Sequence, residues 1–372
     1  MRILILGEAS FVHSTLREGL KSLGHDVTLV SEGNNGRGCP RDIDLERNPR
    51  LGKLGGLKVF WKLLVNIGKL RGNDVVLIHN YQFIPLRARW NAIMLDFLKR
   101  NNRLVAKGCY GDDPQVLERQ LAGVPRYSDM YWHGALQNVG ENAARLAEQR
   151  IPEIVGIWRK STDDADVLLP CLYEYYLSYD VEPFRHKLVY MPLPVNIPQE
   201  GVRVKGVGLK IKVLVGVQSK RDYMKGARKI GRMVEEVGRR NPGRLDIRYV
   251  EDVPYAEYCK MLAGADVLVD QLYSFTPSMN SLAAMARGTV VIGGGEEEFY
   301  DFIGEKKLRP IINVSPEKSF EDNVKAIEAA LIPEGSVKRL SQESIEFVKK
   351  YHDCRKVAAR HVELYNKLIH NS

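Results

Sequence analysis

Residues 264–295, GADVLVDQLYSFTPSMNSLAAMARGTVVIGGG, alternate apolar and polar blocks with the spacing of a βαβ unit. Asp266–Asp270 and Thr289–Ile292 are short apolar runs, and between them a hydroxyl-rich stretch leads into the small residues Ser281–Arg287, which Gly288 ends. The pattern predicts strand, polar loop, helix, strand and glycine loop. A helix N-terminus that faces a polar loop at the carboxyl end of a parallel strand is a natural anion site. An ordinary βαβ unit without a ligand has the same pattern.

Similar units recur along the whole chain, on both sides of the Pro- and Gly-rich stretch Pro192–Gly208, which we interpret as a linker. The predicted strands are Met1–Leu6, Asp26–Val30, Asp74–His79, Arg103–Lys107, Asp166–Leu169, Leu188–Met191, Lys210–Val215, Asp246–Val250, Asp266–Asp270, Thr289–Ile292 and Pro310–Val314. The predicted helices are Val12–Leu23, Ala227–Arg239, Tyr255–Leu262, Ser281–Arg287, Phe320–Leu331 and Ser341–Ile369. Short apolar strands that alternate with helices predict two doubly wound α/β domains in tandem, residues 1–195 and 196–340, followed by a terminal segment, 341–372.

Length and composition fit such an organisation. The chain has 372 residues, 44% of them hydrophobic, and no apolar run approaches the roughly 20 residues that span a bilayer. Its five cysteines are far apart, with no CxxC pair. This usage favours reduced thiols in a cytoplasmic protein and argues against a structural zinc. We predict no metal site.

The net charge of +9 comes mainly from two clusters. Arg47–Gly72 holds seven basic residues and no acid, and Arg203–Arg232 holds ten basic residues against one acid. The second half of the first cluster can form a helix that combines large apolar residues with lysines at 58, 62 and 69. Such a helix predicts peripheral binding to an anionic membrane, here the inner face; the alternative is a core-packed surface helix with solvated lysines. No RNA- or DNA-binding module pattern is present, so we predict no nucleic-acid partner.

The loop Gly216–Gly226, GVQSKRDYMKG, lies between a predicted strand and a predicted helix. It brings Lys220, Arg221 and Lys225 close to a helix N-terminus, and ammonium groups together with backbone N–H groups are what a diphosphate requires. A merely solvated basic loop is the alternative. The first βα turn, Gly7–Ser10, lacks GxGxxG spacing, so a nicotinamide or flavin cofactor is not predicted.

Several phrases together resemble one family over nearly the whole chain. They are MRILILG at residues 1–7, GHDVTLVS at 24–31, VYMPLPVNI at 189–197, VLVGVQSKRDYMKG at 213–226, the stretch 250–295 that ends in TVVIGGG, and HVELYNKLI at 361–369. The sequence resembles GT-B glycosyltransferases of the large group 1 class, which use nucleotide-sugar donors. The resemblance implies two Rossmann-like domains facing across a cleft, with the donor held mainly by the second and the last helix crossing back onto the first.

The resemblance also implies roles for residues of the second domain. Lys225 and Gly226 match the Lys-Gly pair that grips the donor diphosphate, assisted by Lys220 or Arg221. The family usually has two glutamates eight positions apart, one on the donor sugar and one on the ribose, where this chain has Phe275 and Ala283. Nearby polar groups that we predict to bind the donor instead are Ser278, Asn280 and Ser281. We further hypothesise that Glu296 or Glu298 replaces a missing carboxylate; a solvated acidic helix start is the alternative.

In the first domain the family often has a histidine after the fourth strand, and here the corresponding segment, Val105–Pro114, has none. Asp112 or Asp113 is a candidate base or acceptor-binding group, and either can instead cap the helix that follows. His13, after the first βα loop, and His79, at the end of a strand, are further candidates beside the predicted cleft, although a lone histidine is more often structural.

These observations predict transfer of a hexose-type sugar from a nucleotide-sugar to a hydroxyl of a glycan or lipid-linked acceptor, as in surface polysaccharide synthesis. Lys225, a basic partner and the helix N-terminus near Ser281 would stabilise the leaving diphosphate without a metal. No cofactor is predicted beyond the donor itself. Two alternatives stay open: a nucleotide-sugar epimerase of the same fold, and a catalytically silent subunit that binds sugar nucleotides or glycans.

Overall fold

The computed structural model describes residues 1–33, 38–198, 200, 202–206 and 208–371. Along these residues the strands are β1 Arg2–Leu6, β2 Asp26–Ser31, β3 Ile43–Asp44, β4 Val75–Ile78, β5 Leu104–Cys109, β6 Tyr131–Trp132, β7 Ala135–Leu136, β8 Val167–Pro170, β9 Ile211–Val217, β10 Leu245–Glu251, β11 Val267–Val269, β12 Val290–Gly293 and β13 Ile311–Asn313. The α-helices are α1 Val12–Ser22, α2 Gly52–Val65, α3 Ala88–Asn101, α4 Pro114–Leu121, α5 Val139–Gln149, α6 Pro152–Asp164, α7 Tyr173–Tyr179, α8 Asp222–Lys225, α9 Ala227–Arg240, α10 Tyr255–Ala263, α11 Met279–Met285, α12 Glu297–Ile303, α13 Phe320–Leu331, α14 Ser336–Tyr351 and α15 Cys354–Asn371.

The chain forms two compact units. Unit 1 comprises residues 1–122, 139–194 and 354–372, and unit 2 comprises residues 123–138 and 195–353. This division differs from the predicted ranges in two respects. Of the predicted terminal segment 341–372, residues 341–353 belong to unit 2 and residues 354–372 to unit 1. A short segment from the N-terminal half of the chain, residues 123–138, belongs to unit 2.

Unit 1 is built on a parallel sheet with the strand order β3-β2-β1-β4-β5-β8. Because successive side chains of a strand point to opposite faces, Ile3 and Ile5 pack on one side of the sheet with helices α1 and α15, and Leu4 and Leu6 pack on the other with α2 and α3. Both faces are therefore covered, which explains why the strands are continuous apolar runs. The order reverses between β1 and β4, which places the loops after these two strands side by side.

Unit 2 contains a second parallel sheet, ordered β10-β9-β11-β12-β13. Helices α9, α13 and α14 cover one face through a core that includes Val213 and Val215, and α10 and α11 cover the other, where Leu214 and Leu268 lie. The strand order reverses between β9 and β11. In open parallel sheets ligands bind at the carboxyl ends of the strands beside such a reversal.

Both units are doubly wound α/β sheets, which confirms the predicted fold class. Apart from shifted limits and elements that were not predicted, three predicted segments have a different structure from the one expected. Leu188–Met191 is not a strand, although it runs along β8. Leu188 forms an isolated bridge to Leu168, and the backbone N–H groups of Val189 and Met191 donate to the carbonyls of Leu168 and Pro170 (both 2.9 Å). The single helix predicted for Ser341–Ile369 is two helices, because the chain breaks at His352 and Asp353, which pair with the backbone of Val195. The predicted linker is also not free: Lys205 donates its backbone N–H to the Ser341 hydroxyl (2.9 Å), while residues 199, 201 and 207 lie outside the described residues.

Candidate functional site

The basic loop after β9 is held in place by its own backbone and by one carboxylate. Asp252 accepts hydrogen bonds from the backbone N–H of Ser219 (3.1 Å) and from its hydroxyl. The bond from the Ser219 hydroxyl has the largest effect and the bond from its backbone N–H the next largest. Together they hold the pKa of Asp252 below its usual range. A carboxylate that stays charged therefore anchors the start of the loop.

The three predicted cations of this loop are available to a ligand. Lys220 and Arg221 lie in an exposed 3₁₀ turn, Ser219–Arg221, and Lys225 is half-buried at the end of α8. No carboxylate in the described part of the chain forms an ion pair with any of the three. Surplus cations at the reversal between β9 and β11 are an electrostatic feature that an anion would neutralise.

Gly226 is required by the backbone at the point where α8 ends and α9 begins. Its φ is +68°, a left-handed conformation that favours glycine, and a Cβ atom there would lie 2.9 Å from the Cβ of Leu272. The backbone N–H of Leu272 also donates to the carbonyl of Lys225 (2.7 Å). This hydrogen bond fixes the backbone of Lys225 against the loop that follows β11.

The polar residues after β11 are organised around a buried carboxylate, Asp270. It accepts hydrogen bonds from the hydroxyl of Ser278 (2.6 Å) and from that of Ser281. Ser278 also caps α11, since its hydroxyl oxygen accepts from the backbone N–H of Ser281 (3.3 Å), and Asn280 donates to the hydroxyl of Tyr258 (2.8 Å). The helix therefore begins at Met279, two residues before the predicted start, and Ser281 is buried inside the capping network.

The glycines at residues 293–295 allow close packing of the loop after β12 against its neighbours. A Cβ atom on Gly294 would lie 1.8 Å from the carbonyl oxygen of Ser274, and one on Gly295 would lie 2.9 Å from the Cβ of Ile311. The backbone N–H of Gly295 is bonded to the side-chain oxygen of Asn313 (3.0 Å), and that of Glu296 to the carbonyl of Phe275 (3.2 Å). These backbone groups are satisfied within the protein, so the loop differs from an open anion cradle.

Both carboxylates proposed as replacements are bound by residues from segment 123–138. Glu296 is buried, accepting from the hydroxyl of Tyr127 (2.8 Å) and from the guanidinium of Arg126 (3.0 Å). Glu298 also pairs with Arg126. Burial and the Glu296 carboxylate raise the pKa of the Tyr127 hydroxyl, which therefore remains a donor.

Phe275, at the position where the family has a sugar-binding glutamate, is covered by the same segment. Its ring is buried and stacks on that of Tyr127, with centroids 4.4 Å apart and planes inclined by 27°. The Arg126 guanidinium lies 4.8 Å from the centroid of the Phe275 ring. The Phe275 ring is therefore held by aromatic stacking and by a cation over its face, and it offers no carboxylate at this position.

In unit 1, the N-terminus of α1 is occupied by a carboxylate of the protein itself. Glu8 accepts from the backbone N–H groups of Ala9 (2.8 Å), His13 (3.0 Å) and Ser14 (2.8 Å). A second anion at this helix end would meet like charge, and these three N–H groups are already bonded.

Of the two candidate histidines of unit 1, His13 is fully buried and His79 is partly buried. Nδ1 of His13 lies 2.9 Å from the carbonyl oxygen of Gly7, which only accepts, so this nitrogen carries the proton. The His13 and His79 rings meet edge to face with centroids 5.5 Å apart. Burial lowers the pKa of both rings, that of His79 to about 3 with a smaller contribution from His13. Both are therefore neutral at pH 7, and a catalytic role for His13 stays a prediction.

The two candidate aspartates after β5 have different environments. Asp112 is partly exposed and forms an ion pair with Arg145 (2.6 Å). Asp113 caps α4 by accepting from the backbone N–H of Val116 (2.8 Å), and it also accepts from the hydroxyl of Tyr179 (2.5 Å). Burial raises the pKa of Asp113. The capping alternative thus describes Asp113, while Asp112 keeps the solvent access that a base requires.

Comparison with known proteins defines the fold class. No protein-family model and no curated protein sequence matches the chain. Among solved structures, sucrose-phosphate synthase from Thermosynechococcus elongatus is 14% identical with a TM-score of 0.59, and all of both chains are covered. WaaG, a glycosyltransferase involved in lipopolysaccharide biosynthesis, is 10% identical with a TM-score of 0.57, covering 98% of this chain and 99% of that one.

The catalytic domain of starch synthase IV from Arabidopsis thaliana, solved with ADP and acarbose, is 10% identical with a TM-score of 0.57, and 99% of each chain is covered. These structures are GT-B glycosyltransferases. The present chain therefore has the GT-B fold, composed of two Rossmann-like domains, and this prediction is confirmed. At such low identity the similarity establishes the fold alone.

Sequence reasoning did not find Glu8, Arg126 and Tyr127. For Glu8, the available signal was a weak one, an acidic side chain in the turn before a predicted helix. Arg126 and Tyr127 lie in a stretch between two helices, with no periodicity that indicates what they contact. Their partners are about 170 positions away in the chain, and only the folded structure brings them together.

Proposed function

We propose that the protein is a glycosyltransferase that moves a sugar, of the hexose type, from a nucleotide-sugar donor to a hydroxyl group of a glycan or lipid-linked acceptor. The observation that carries the proposal is a group of cations on a GT-B fold, at the strand-order reversal of unit 2. Lys220, Arg221 and Lys225 form no ion pair with any carboxylate of the described residues. One similar protein was solved with ADP, and another is involved in lipopolysaccharide biosynthesis, which supports a nucleotide donor and a surface-polysaccharide setting.

The proposed chemistry requires positive charge where the leaving group forms. An acceptor hydroxyl attacks the anomeric carbon, the bond to the donor phosphate breaks, and the hydroxyl proton passes to solvent or to the departing phosphate. Negative charge collects on the departing nucleoside diphosphate. Pre-positioned cations stabilise such charge more than solvent does, because they need no reorganisation. We propose that Lys225, fixed by Gly226, supplies this charge together with Lys220 or Arg221, and that no metal ion is needed.

The test is a binding screen of the purified protein by thermal shift and calorimetry, with UDP, GDP, ADP and dTDP and their glucose conjugates. We expect the nucleotides of one base to raise the Tm of the protein and to bind at micromolar to millimolar concentration. Nucleotides of the other bases should not bind. Release of that diphosphate in the presence of a glycan acceptor would then establish transfer. Absence of binding by all of these compounds at millimolar concentration would contradict the proposal.

A second candidate function, a catalytically silent sugar-nucleotide-binding subunit, is favoured by one observation. Neither Phe275 nor Ala283 has a side chain that accepts a hydrogen bond, and Phe275 is stacked under Tyr127. Such a subunit would bind the nucleotide-sugar in the same screen but release no diphosphate with any acceptor. Turnover thus separates the two candidates.

We also propose that helix α2 binds an anionic membrane surface. Its outward residues Leu54, Leu57, Trp61 and Val65 are 68%, 63%, 65% and 61% exposed, and they recur at the spacing of one helix face. The helix and the residues that flank it, 47–72 in all, carry basic residues and no acid. One of these, Lys62, donates to the backbone carbonyl of Asp44 (2.5 Å) and so does not point outward. Within the described residues, no helix is both long enough and sufficiently apolar to cross a bilayer.

We expect the protein to sediment with vesicles that contain phosphatidylglycerol at low salt and to be released by high salt. The double variant Leu57→Glu, Trp61→Glu should weaken this partition at least tenfold, because burying each of these side chains contributes about 1.5–3 kcal/mol. Leu209→Glu, which adds an acid at a 98% exposed leucine of unit 2, is the matched control and should bind like the parent. Equal binding to neutral vesicles, or none at low salt, would contradict the membrane proposal.

A further inference from the structure

Residues Gly123–Asn138, here called the strap, follow helix α4 and precede helix α5, both of which belong to unit 1. The strap itself packs on unit 2. Its centre is a small antiparallel hairpin in which Tyr131 pairs with Leu136. The chain thus passes from unit 1 to unit 2 and back within 16 residues. Connecting helix α4 to helix α5 inside unit 1 would not require such a crossing.

The first half of the strap is anchored by one arginine among three carboxylates. Arg126 pairs with Glu296 (3.0 Å), with Glu298 and with Glu317 (2.6 Å). Several carboxylates around one guanidinium form a network, which stabilises more than an isolated surface pair. Next to it, Tyr127 is fully buried, stacked on Phe275 and bonded to Glu296.

The contacts of the strap follow the carboxyl edge of the sheet. Glu317 lies after β13, Glu296 after β12 and Phe275 after β11, and each contacts Arg126 or Tyr127. At the other end of the strap, the side-chain amide of Asn138 donates to the carbonyl of Tyr223 (3.2 Å), in the basic loop after β9. The strap therefore crosses the loops of four strands at the edge where parallel sheets bind ligands.

The β9 end and the β12 end of this edge differ in whether their side chains already have partners within the protein. At the β9 end, Lys220, Arg221 and Lys225 have no carboxylate partner in the described part of the chain. At the β12 end, the Glu296 carboxylate and the Phe275 ring are occupied by Tyr127 and Arg126. The charge that a diphosphate needs is thus unpaired with the strap in place, whereas the side chains at the β12 end are in contact with the strap.

We propose that the strap is an autoinhibitory plug that covers the sugar-binding part of the nucleotide-sugar site and must leave before the sugar moiety binds. The inference rests on the function proposed above. In a protein whose competent state is a fraction of the population, apparent affinity is reduced by that fraction. Loosening the strap therefore strengthens binding of the nucleotide-sugar and leaves binding of the free nucleoside diphosphate unchanged.

The experiment compares two ligands in variants that weaken the anchor. Calorimetry measures the Kd of UDP, GDP or ADP and of the corresponding glucose conjugate, for the parent, Arg126→Ala and the milder Glu317→Gln. We expect Arg126→Ala to lower the Kd of the glucose conjugate about tenfold and to leave the Kd of the diphosphate unchanged. Glu317→Gln should lower the Kd of the conjugate by a smaller factor. Arg240→Ala is the matched control, since Arg240 also meets several glutamates but at the C-terminal end of α9, away from this edge.

Hydrogen exchange of residues 123–138 without ligand provides an independent measure of opening. Faster exchange in Arg126→Ala, together with tighter conjugate binding, supports the plug. If exchange rises while the conjugate binds equally or more weakly, the strap inference is wrong and the proposed function stands, because the diphosphate still binds. If neither ligand binds to any variant, both proposals fall. Should Arg126→Ala not fold, Glu317→Gln alone decides between these outcomes.

Discussion

Alanine in place of Lys225 is expected to weaken binding of the nucleoside diphosphate by ten- to a hundredfold. Hydrogen bonds to charged groups contribute about 1.5–3 kcal/mol, and each 1.4 kcal/mol corresponds to a tenfold change in Kd. The fold should be unaffected, because no carboxylate in the described part of the chain pairs with the Lys225 ammonium. The measurement is calorimetry with the diphosphate that the binding screen identifies, together with Tm in the absence of ligand.

Lys325→Ala is the matched control for this variant. Lys325 lies on the exposed side of α13 and makes only a long ion pair with Glu321 (3.9 Å), so its removal should leave Kd within twofold. Equal Kd values for Lys225→Ala and the parent would show that no diphosphate is held by this loop. The enzymatic proposal would then lose the observation on which it depends.

Gly294→Ala is expected to give the largest loss of stability, lowering the free energy of unfolding by about 3 kcal/mol. The added Cβ would lie 1.8 Å from the carbonyl oxygen of Ser274, and this neighbour is backbone and cannot rotate away. The loop after β12 and the loop after β11 would have to separate. Chemical denaturation followed by fluorescence and circular dichroism measures the change.

Gly264→Ala separates crowding from the general effect of adding a methyl group. At position 264 the backbone is right-handed helical and the nearest atom to a Cβ, the carbonyl oxygen of Met261, is 3.5 Å away, which is ordinary contact. We expect a change within about 0.5 kcal/mol. A Gly294→Ala protein of parental stability that no longer binds nucleotide would mean that the loop is a ligand cradle after all, contrary to our interpretation.

The strands and helices could be predicted from the sequence because their signals are local. Unalternated apolar runs such as Val213–Val217 identify strands that are buried on both faces, and the helix predicted for Phe320–Leu331 has those same limits in the structure. The basic loop was found for the same reason, since Lys220, Arg221, Lys225 and Gly226 are neighbours in sequence. The division of the C-terminal helix was not predictable, because neither Gly nor Pro marks it. It depends instead on backbone pairing with Val195.

The candidate site shows the same limit. In the sequence, Glu296 and Glu298 are recognisable as acids at the start of a helix. In the structure both form ion pairs with Arg126, and no local pattern connects Arg126 to them. The same holds for Phe275: the sequence reveals the absence of a carboxylate, and only the fold shows the Tyr127 ring that covers it.

By itself, then, the sequence determined two doubly wound sheets and a cationic loop beside the second, because hydrophobic periodicity and neighbouring charges act over a few residues. The tertiary structure alone decided that segment 123–138 packs on unit 2 and occupies the acidic end of the candidate site. The physical reason is that ion pairs and ring stacking depend on distance in space, and only the folded chain brings Arg126 and Tyr127 within contact distance of Glu296.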